Sequence, residues 1–328
     1  MSVDQETLIR SARDSLLQDL IHGFSLTPPS IPPKWFYDER GSELFEAITR
    51  LPEYYPTEAE RTLLVANAAE IVGIGSSDTL IELGAGISDK TTALLDAMQQ
   101  NGAPLRYVPF DISSDAIDEG AQRLYERYDS IEIRGVVGDI DHDLGELPTS
   151  GRPLVALLGG TIGNYEPAAR ATLLRSIASV LGPDDLFLLG TDRVKDAGRL
   201  VAAYDDAAGV TAEFNRNVIS VIATLLDLDL KPADFDHRAV WNAEQEWIEM
   251  HLVANTPVEL TIPGISRQLE PGDHILTEIS AKFTPDRLRS DLDAAGLNIL
   301  KTWTDGDFTL SLSRVNRRLG KSTNLEAT

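Results

Sequence analysis

The chain of 328 residues contains no cysteine. Disulfide bonds, thiolate nucleophiles and cysteine-ligated zinc sites are therefore excluded. No apolar run approaches the roughly 20 residues that a membrane-spanning helix requires. The first residues also lack the basic and apolar regions of a secretory signal. Together these absences predict a cytoplasmic protein with no membrane partner.

Basic residues are scarce. The chain has 29 Lys and Arg against 52 Asp and Glu, which gives a formal net charge of −23. Because so acidic a surface repels phosphate groups, nucleic-acid partners are not expected. The same charge is also typical of solubility or adaptation to salt, and it identifies no substrate. The length predicts either one large domain with an insertion or two domains. The sequence leaves the oligomeric state open, and a monomer is one of the options.

Apolar segments alternate with helical ones along the middle of the chain. We predict strands over 79–83, 105–111, 131–137, 154–158 and 186–190, with helices over 90–100, 120–128 and 170–181. Such alternation produces an α/β fold, in which a parallel sheet binds ligands beyond the carboxyl ends of its strands. A helix starting at Thr284 and Pro285 and a hairpin of 298–303 with 308–315 complete the pattern.

Two other regions do not follow this alternation. Residues 195–275 read as an insertion of helices and mixed segments. Near the N-terminus we predict a helix over 6–22 and a stiff, extended stretch over 27–33, which contains four prolines. Thr57, followed three residues later by Glu60, forms a capping-box pattern that predicts the start of a further helix.

A glycine loop follows the first predicted strand. Gly84 and Gly86 allow a tight turn and a close approach of the backbone to a ligand. A lone pair of glycines suits a nicotinamide cofactor as well, but Asp89 occupies the third glycine position of that fingerprint. Asp111, after the second strand, is placed to accept from ribose hydroxyls, and Asp139, after the third, from an adenine amino group. These positions favour S-adenosylmethionine.

Lys90 lies at the predicted start of a helix, where the helix dipole disfavours a cation. This placement suggests another task for the lysine, such as pairing with the carboxylate of the cofactor.

Several long motifs resemble those of one family. They are Pro32–Asp38 (PPKWFYD), Leu51–Pro56 (LPEYYP), Gly159–Asn164 (GGTIGN), Tyr204–Thr211 (YDDAAGVT), Phe214–Asn217 (FNRN) and Thr277–Ser280 (TEIS). With the glycine loop they cover about residues 28–315 and resemble the histidine Nα-methyltransferases of ergothioneine biosynthesis. The resemblance implies that S-adenosylmethionine is used to convert L-histidine to its trimethylated betaine, hercynine, without a metal.

The resemblance also implies two domains. One is a Rossmann-like class I methyltransferase core with a C-terminal antiparallel hairpin, over 58–194 and 282–328. The other is an α+β substrate-binding domain, over 1–57 and 195–281.

The resemblance also assigns site residues by their position in the matched motifs. The residues that would contact the cofactor are Tyr37, Gly84, Gly86, Lys90, Asp111, Asp139 and Ile140. Ile140 replaces the aromatic residue of the family pattern. The catalytic set that would hold the substrate's amino and carboxylate groups is Tyr54, Asn164 and Tyr204. Further substrate contacts fall to Gly159, Thr161, Met250, Glu278 and Ser280.

Glu278 and Ser280 are two residues apart in a predicted strand and so lie on one face of it, where a carboxylate and a hydroxyl suit the two imidazole nitrogens. Polar residues at alternating positions are also typical of any strand face exposed to solvent, so the spacing alone does not identify a binding site. No histidine is expected to act as a base, since all five lie outside the motifs: His22, His142, His237, His251 and His274.

Three alternatives remain open. The first is an N-methyltransferase for another aromatic amino acid such as tryptophan, which Glu278 and Met250 disfavour because an indole prefers apolar neighbours. The second is a non-catalytic module that binds S-adenosylmethionine. The third is a nicotinamide dehydrogenase.

Overall fold

The computed structural model describes residues 5–86, 90–102, 104–148 and 151–316. The helices within these ranges are α1 (Gln5–Gly23), α2 (Glu39–Ile48), α3 (Tyr55–Gly75), α4 (Thr92–Gln100), α5 (Ser114–Arg127), α6 (Pro167–Val180), α7 (Ala197–Tyr204), α8 (Val210–Leu226) and α9 (Pro285–Ala294). No helix in these ranges combines the length and apolar character needed to span a bilayer.

The strands are numbered in the same way. They are β1 (Thr79–Leu83), β2 (Arg106–Asp111), β3 (Glu132–Ile133), β4 (Val136–Val137), β5 (Pro153–Leu157), β6 (Leu186–Asp192), β7 (Phe235–Asn242), β8 (Trp247–Ala254), β9 (Val258–Ile262), β10 (Ile265–Leu269), β11 (His274–Ala281), β12 (Leu297–Thr304) and β13 (Phe308–Val315).

The chain divides into two compact units. We call Pro56–Val194 with Lys282–Thr328 the core unit, and Met1–Tyr55 with Lys195–Ala281 the insertion unit. Each unit has its own cluster of buried apolar side chains. The assignment of substrate binding to the insertion unit stays a prediction.

The core unit contains an eight-stranded sheet with the order β12-β13-β6-β5-β1-β2-β3, in which β4 also pairs with β2. Strands β1, β2, β5 and β6 are parallel, and β13 runs antiparallel to β6 and β12. Every residue of β1, β5 and β6 is buried, as expected for strands covered on both faces. The predicted α/β, Rossmann-like fold with a terminal antiparallel hairpin is confirmed. The strand order reverses between β1 and β5, where ligands bind in such sheets.

The insertion unit is built around a three-stranded antiparallel sheet with the order β11-β8-β7, and β9 and β10 form a separate hairpin. Helices α1, α2, α7 and α8 contribute side chains to its apolar cluster. The proline-rich segment adds to the edge of β11, because the Ile31 amide donates to the Leu276 carbonyl and the Leu276 amide donates to the Pro29 carbonyl.

Some local predictions hold and others need correction. Thr284 caps α9 by accepting from the Arg287 amide, as its position before Pro285 predicts. The helix predicted over 120–128 begins at Ser114 instead, because the Ser113 hydroxyl accepts from the Ala116 amide and starts α5 earlier.

Three further expectations were wrong. The strand predicted over 131–137 is two short strands, β3 and β4, that pair with different parts of β2. Helix α3 begins at Tyr55 with Pro56 in its first turn, so Thr57 lies inside the helix and caps nothing. Lys90 lies in a turn, since α4 begins at Thr92.

Candidate active site

The glycine loop after β1 has the backbone conformation that its sequence predicts. Gly84 and Gly86 have φ angles of 69° and 50°, a region that strains other residues. A Cβ at either position would meet no atom within 4 Å, so backbone conformation rather than crowding requires glycine. The loop therefore borders open space at the carboxyl end of β1.

Asp111, the last residue of β2, is held rigidly beside this loop. Its Oδ2 accepts from the Gly86 amide at 2.9 Å, and its Oδ1 accepts from the Ser113 amide at 2.9 Å. These two bonds fix the carboxylate between the glycine loop and the start of α5. Ionised carboxylates accept several hydrogen bonds, so Asp111 has capacity for further donors.

Asp139 follows β4 at the same edge of the sheet. Its Oδ1 accepts from the Asp141 amide at 2.9 Å, and its own amide donates to Asp143 Oδ2 at 2.8 Å. Ile140 comes next and is half-buried. Asp111 thus ends β2 and Asp139 follows β4, and because these two strands pair with each other, two acceptors lie at one edge of the sheet.

Lys90 has a partner that the sequence did not reveal. Its Nζ lies 2.6 Å from Glu60 Oε2, and the Glu60 side chain is fully buried although Lys90 is 27% exposed. The Gly159 amide donates to both Glu60 oxygens, at 2.8 and 2.9 Å. The carboxylate of Glu60, which lies in α3, therefore links Lys90 to the Gly159 amide just after β5.

The turn after β5 carries Asn164. Gly159 and Gly160 have φ angles of 75° and 69°, and a single 3₁₀ turn over Thr161–Asn164 follows. The Thr161 hydroxyl donates to the Leu158 carbonyl at 2.9 Å. Glu60 anchors the first residue of this turn, so it acts on the position of Asn164 through the backbone.

Glu82 lies within β1 and is buried. The Tyr107 hydroxyl donates to its Oε2 at 2.6 Å. Burial raises the pKa of Glu82 to about 7, against the lowering effects of its hydrogen bonds and of Lys90. The folded protein therefore binds a proton here that the unfolded chain releases at lower pH.

A pH dependence of stability follows. A raised pKa contributes stability that is complete below the unfolded pKa of about 4.5 and is lost as pH rises through about 7. We expect Glu82→Gln to remove a fall of up to about 3 kcal/mol in the free energy of unfolding between about pH 5 and pH 8. Urea unfolding at several pH values measures this. An identical pH slope in the variant and the wild type would show that Glu82 does not titrate in this range.

The insertion unit collects aromatic side chains from separate segments. The ring of Phe45 lies 5.6 Å from that of Tyr37 and 6.2 Å from that of Tyr54. The ring of Tyr54 in turn lies 5.9 Å from that of Tyr204. Three residues assigned to the site from sequence, Tyr37, Tyr54 and Tyr204, therefore lie in one aromatic cluster with Phe45.

Ser280 and Glu278 lie on β11. The Tyr204 hydroxyl and the Ser280 hydroxyl are 2.8 Å apart and buried. Glu278 is half-buried and lies opposite Met250 of β8 in the strand register. The insertion unit thus contains the Glu278 carboxylate, the Tyr204 and Ser280 hydroxyls, Met250 and the aromatic cluster.

The acceptor set in the core unit fits S-adenosylmethionine. Asp111 and Asp139 supply carboxylates suited to ribose hydroxyls and an adenine amino group, and the two glycines let a ligand approach the protein backbone closely. Glu60 could not be predicted as part of this site from the sequence, because a glutamate three residues after a threonine is also a local capping signal.

Comparisons with known proteins agree with this chemistry. The family model described as "Histidine-specific methyltransferase, SAM-dependent" matches residues 16–317. The histidine N-alpha-methyltransferase of Mycolicibacterium smegmatis is 47% identical over 307 residues, which cover 92% of this chain and 96% of that protein. The protein of the same name from Mycobacterium tuberculosis is 47% identical over 303 residues, covering 91% and 94%. Ergothioneine biosynthesis protein 1 of Neurospora crassa is 29% identical over 296 residues, covering 85% of this chain and 32% of that protein.

Proposed function

Because this chain belongs to the family of histidine-specific, S-adenosylmethionine-dependent methyltransferases, we propose that it trimethylates the α-amino group of L-histidine to give hercynine. The observation that carries the proposal is the grouping of Glu278, Ser280 and Tyr204 in the insertion unit. A cytoplasmic location and the absence of nucleic-acid partners remain predictions of the sequence.

The imidazole of histidine suits this group of side chains. A neutral imidazole has one nitrogen that donates and one that accepts. Glu278 accepts from the first. The Tyr204 and Ser280 hydroxyls lie 2.8 Å apart. A hydroxyl of this pair is the group that we assign to the accepting nitrogen, because a hydroxyl can both donate and accept.

On the cofactor side, Asp111 holds the ribose and Asp139 the adenine amino group, with Tyr37, Gly84, Gly86 and Ile140 as further contacts. S-adenosylmethionine, when bound, supplies a methyl group on a positively charged sulfur. Lys90 uses hydrogens not directed at Glu60 to bind the cofactor carboxylate, and Glu60 keeps the lysine in place.

The reacting amine must present an unprotonated lone pair in a fixed direction. Tyr54, Asn164 and Tyr204 orient the amino and carboxylate groups, with Gly159 and Thr161 at the end of β5 completing the set. Orientation alone contributes much of the rate of such a transfer. Solvent takes the protons released. As methyl groups accumulate, the aromatic faces of Tyr54 and Phe45 stabilise the growing cation.

Removing two of the orienting groups tests this arrangement. We expect the double variant Tyr54→Phe, Asn164→Ala to methylate histidine about 100-fold more slowly or worse, since a misplacement of about 1 Å has that effect. Single-turnover product analysis measures the rate of each methylation. Tyr125→Phe with Asn298→Ala is a matched control, because both side chains are exposed. Wild-type rates in the first double variant would remove the positioning role.

A further inference from the structure

A chain of buried polar side chains runs through the insertion unit beside the residues assigned to histidine. Asn215 of α8 is fully buried, and Thr277 of β11 and His237 of β7 are almost so. Asn215 Nδ2 lies 2.8 Å from His237 Nδ1, and the Thr277 hydroxyl lies 2.7 Å from Asn215 Oδ1. These side-chain hydrogen bonds therefore join three separate elements, α8, β7 and β11.

The ends of this chain reach the backbone of the proposed site. His237 Nε2 lies 2.8 Å from the Tyr204 carbonyl, and the Thr277 hydroxyl lies 3.0 Å from the Met250 carbonyl. Thr277 also directly precedes Glu278. The buried chain thus contacts, or adjoins, three residues assigned to the substrate without itself including any of them.

The proton positions along the chain follow from its acceptors. A carbonyl only accepts, so His237 Nε2 must carry the hydrogen that faces Tyr204. Burial lowers the pKa of His237, which favours the neutral ring. Its Nδ1 then accepts from the Asn215 amide, and the same amide nitrogen donates to the His251 carbonyl at 3.1 Å. Asn215 is left with its oxygen toward Thr277, whose single hydroxyl hydrogen faces two acceptors, Asn215 Oδ1 and the Met250 carbonyl.

Thr277 is also the residue at which the pairing of β11 with β8 changes register. Leu276 lies opposite His251 and Glu278 lies opposite Met250, so Thr277 is the extra residue of a β-bulge. A shift of one residue in a strand reverses the face on which each later side chain lies. The bulge therefore decides the face of β11 that carries Glu278 and Ser280.

We propose that His237, Asn215 and Thr277 are positioning residues that set specificity for histidine. They hold the bulge and the Tyr204 backbone, and so fix Glu278, Ser280 and Tyr204 relative to one another. The inference rests on the proposed function, because the ring these groups recognise is the imidazole. We assign no substrate contact to any of the three side chains.

The test separates the Thr277 hydroxyl from the threonine shape. Thr277→Val removes the hydroxyl and keeps the branched side chain, whereas Thr277→Ser keeps the hydroxyl. We expect Thr277→Val to raise the KM for histidine about tenfold, the ratio that about 1.4 kcal/mol of lost binding produces. Affinity for S-adenosylhomocysteine should stay at the wild-type level, and Thr277→Ser should restore the KM. Thr261→Val, the same change at an exposed strand position, is the control and should match the wild type.

A Thr277→Val variant with a lower unfolding temperature but the wild-type KM would reduce the residue to a structural role and overturn the proposal. Nitrogen-15 NMR of the wild-type protein, with His237→Gln to assign the signal, tests the chain without any variant of Thr277. We expect a neutral His237 ring with its hydrogen on Nε2 at neutral pH. A charged ring, or a hydrogen on Nδ1, overturns the proposal. If the wild type does not methylate histidine, the proposed function fails separately, and the NMR result still decides whether the chain exists.

Discussion

Gly190→Ala should destabilise the core unit by about 3 kcal/mol, the lower end of what breaking a buried ion pair costs. A Cβ at Gly190 would lie 2.1 Å from Glu60 Oε1 and 3.2 Å from the Phe308 ring. Gly190 belongs to β6, in which every residue is buried, so the strand has little room to shift. The Glu60 carboxylate would therefore have to leave Lys90 and the Gly159 amide.

A double-mutant cycle isolates this clash. Urea unfolding of Gly190→Ala, Glu60→Ala and the double variant gives the coupling between the two sites. We expect the glycine substitution to cost at least about 1 kcal/mol less when Glu60 is already alanine. Gly73→Ala on α3 is the matched control, because a Cβ there meets no atom within 4 Å. Equal costs in both backgrounds would show that Glu60 does not occupy the space beside Gly190.

Glu278→Ala should lower kcat/KM for histidine about 100-fold, which corresponds to about 2.7 kcal/mol and falls within the range for losing one partner of a buried charged hydrogen bond. The substitution removes the acceptor that the proposal assigns to the imidazole N–H. Because an alanine leaves an apolar surface beside Met250, the ratio of tryptophan or phenylalanine to histidine turnover should rise.

Two further variants make this experiment specific. Glu278→Gln keeps one accepting oxygen, so we expect its kcat/KM for histidine to lie between those of the wild type and Glu278→Ala. Glu259→Ala removes an exposed carboxylate from β9 and should behave as wild type. Unchanged substrate ratios in Glu278→Ala would remove the imidazole assignment and leave the rest of the fold and cofactor assignment intact.

The core sheet could be predicted because its signals are local. Strand β5 is an unbroken apolar run, and β1 is apolar apart from Thr79 and Glu82, as is typical of strands buried on both faces. The start of α9 has a capping threonine followed by proline, and the last two strands are joined by a short turn containing Gly306. Each of these features depends on a few consecutive residues.

The features that sequence reasoning missed depend on residues far apart in the chain. Glu60 and Gly159 are 99 positions apart, and nothing near Thr57 distinguishes a capping glutamate from one that binds a distant amide. Thr277 has the sequence pattern of an ordinary strand residue, and its hydrogen-bond partner Asn215 is 62 positions away. The roles of such residues depend on partners that are distant in the sequence. The site residues assigned by motif position remain predictions that mutagenesis can test.

The most direct test of the account is mass spectrometry of histidine incubated with the protein and S-adenosylmethionine carrying a deuterated methyl group. We expect mono-, di- and then trimethylated histidine, with all three labelled methyl groups on the α-nitrogen in the final product. Unmodified histidine, with tryptophan methylated under the same conditions, would contradict the account.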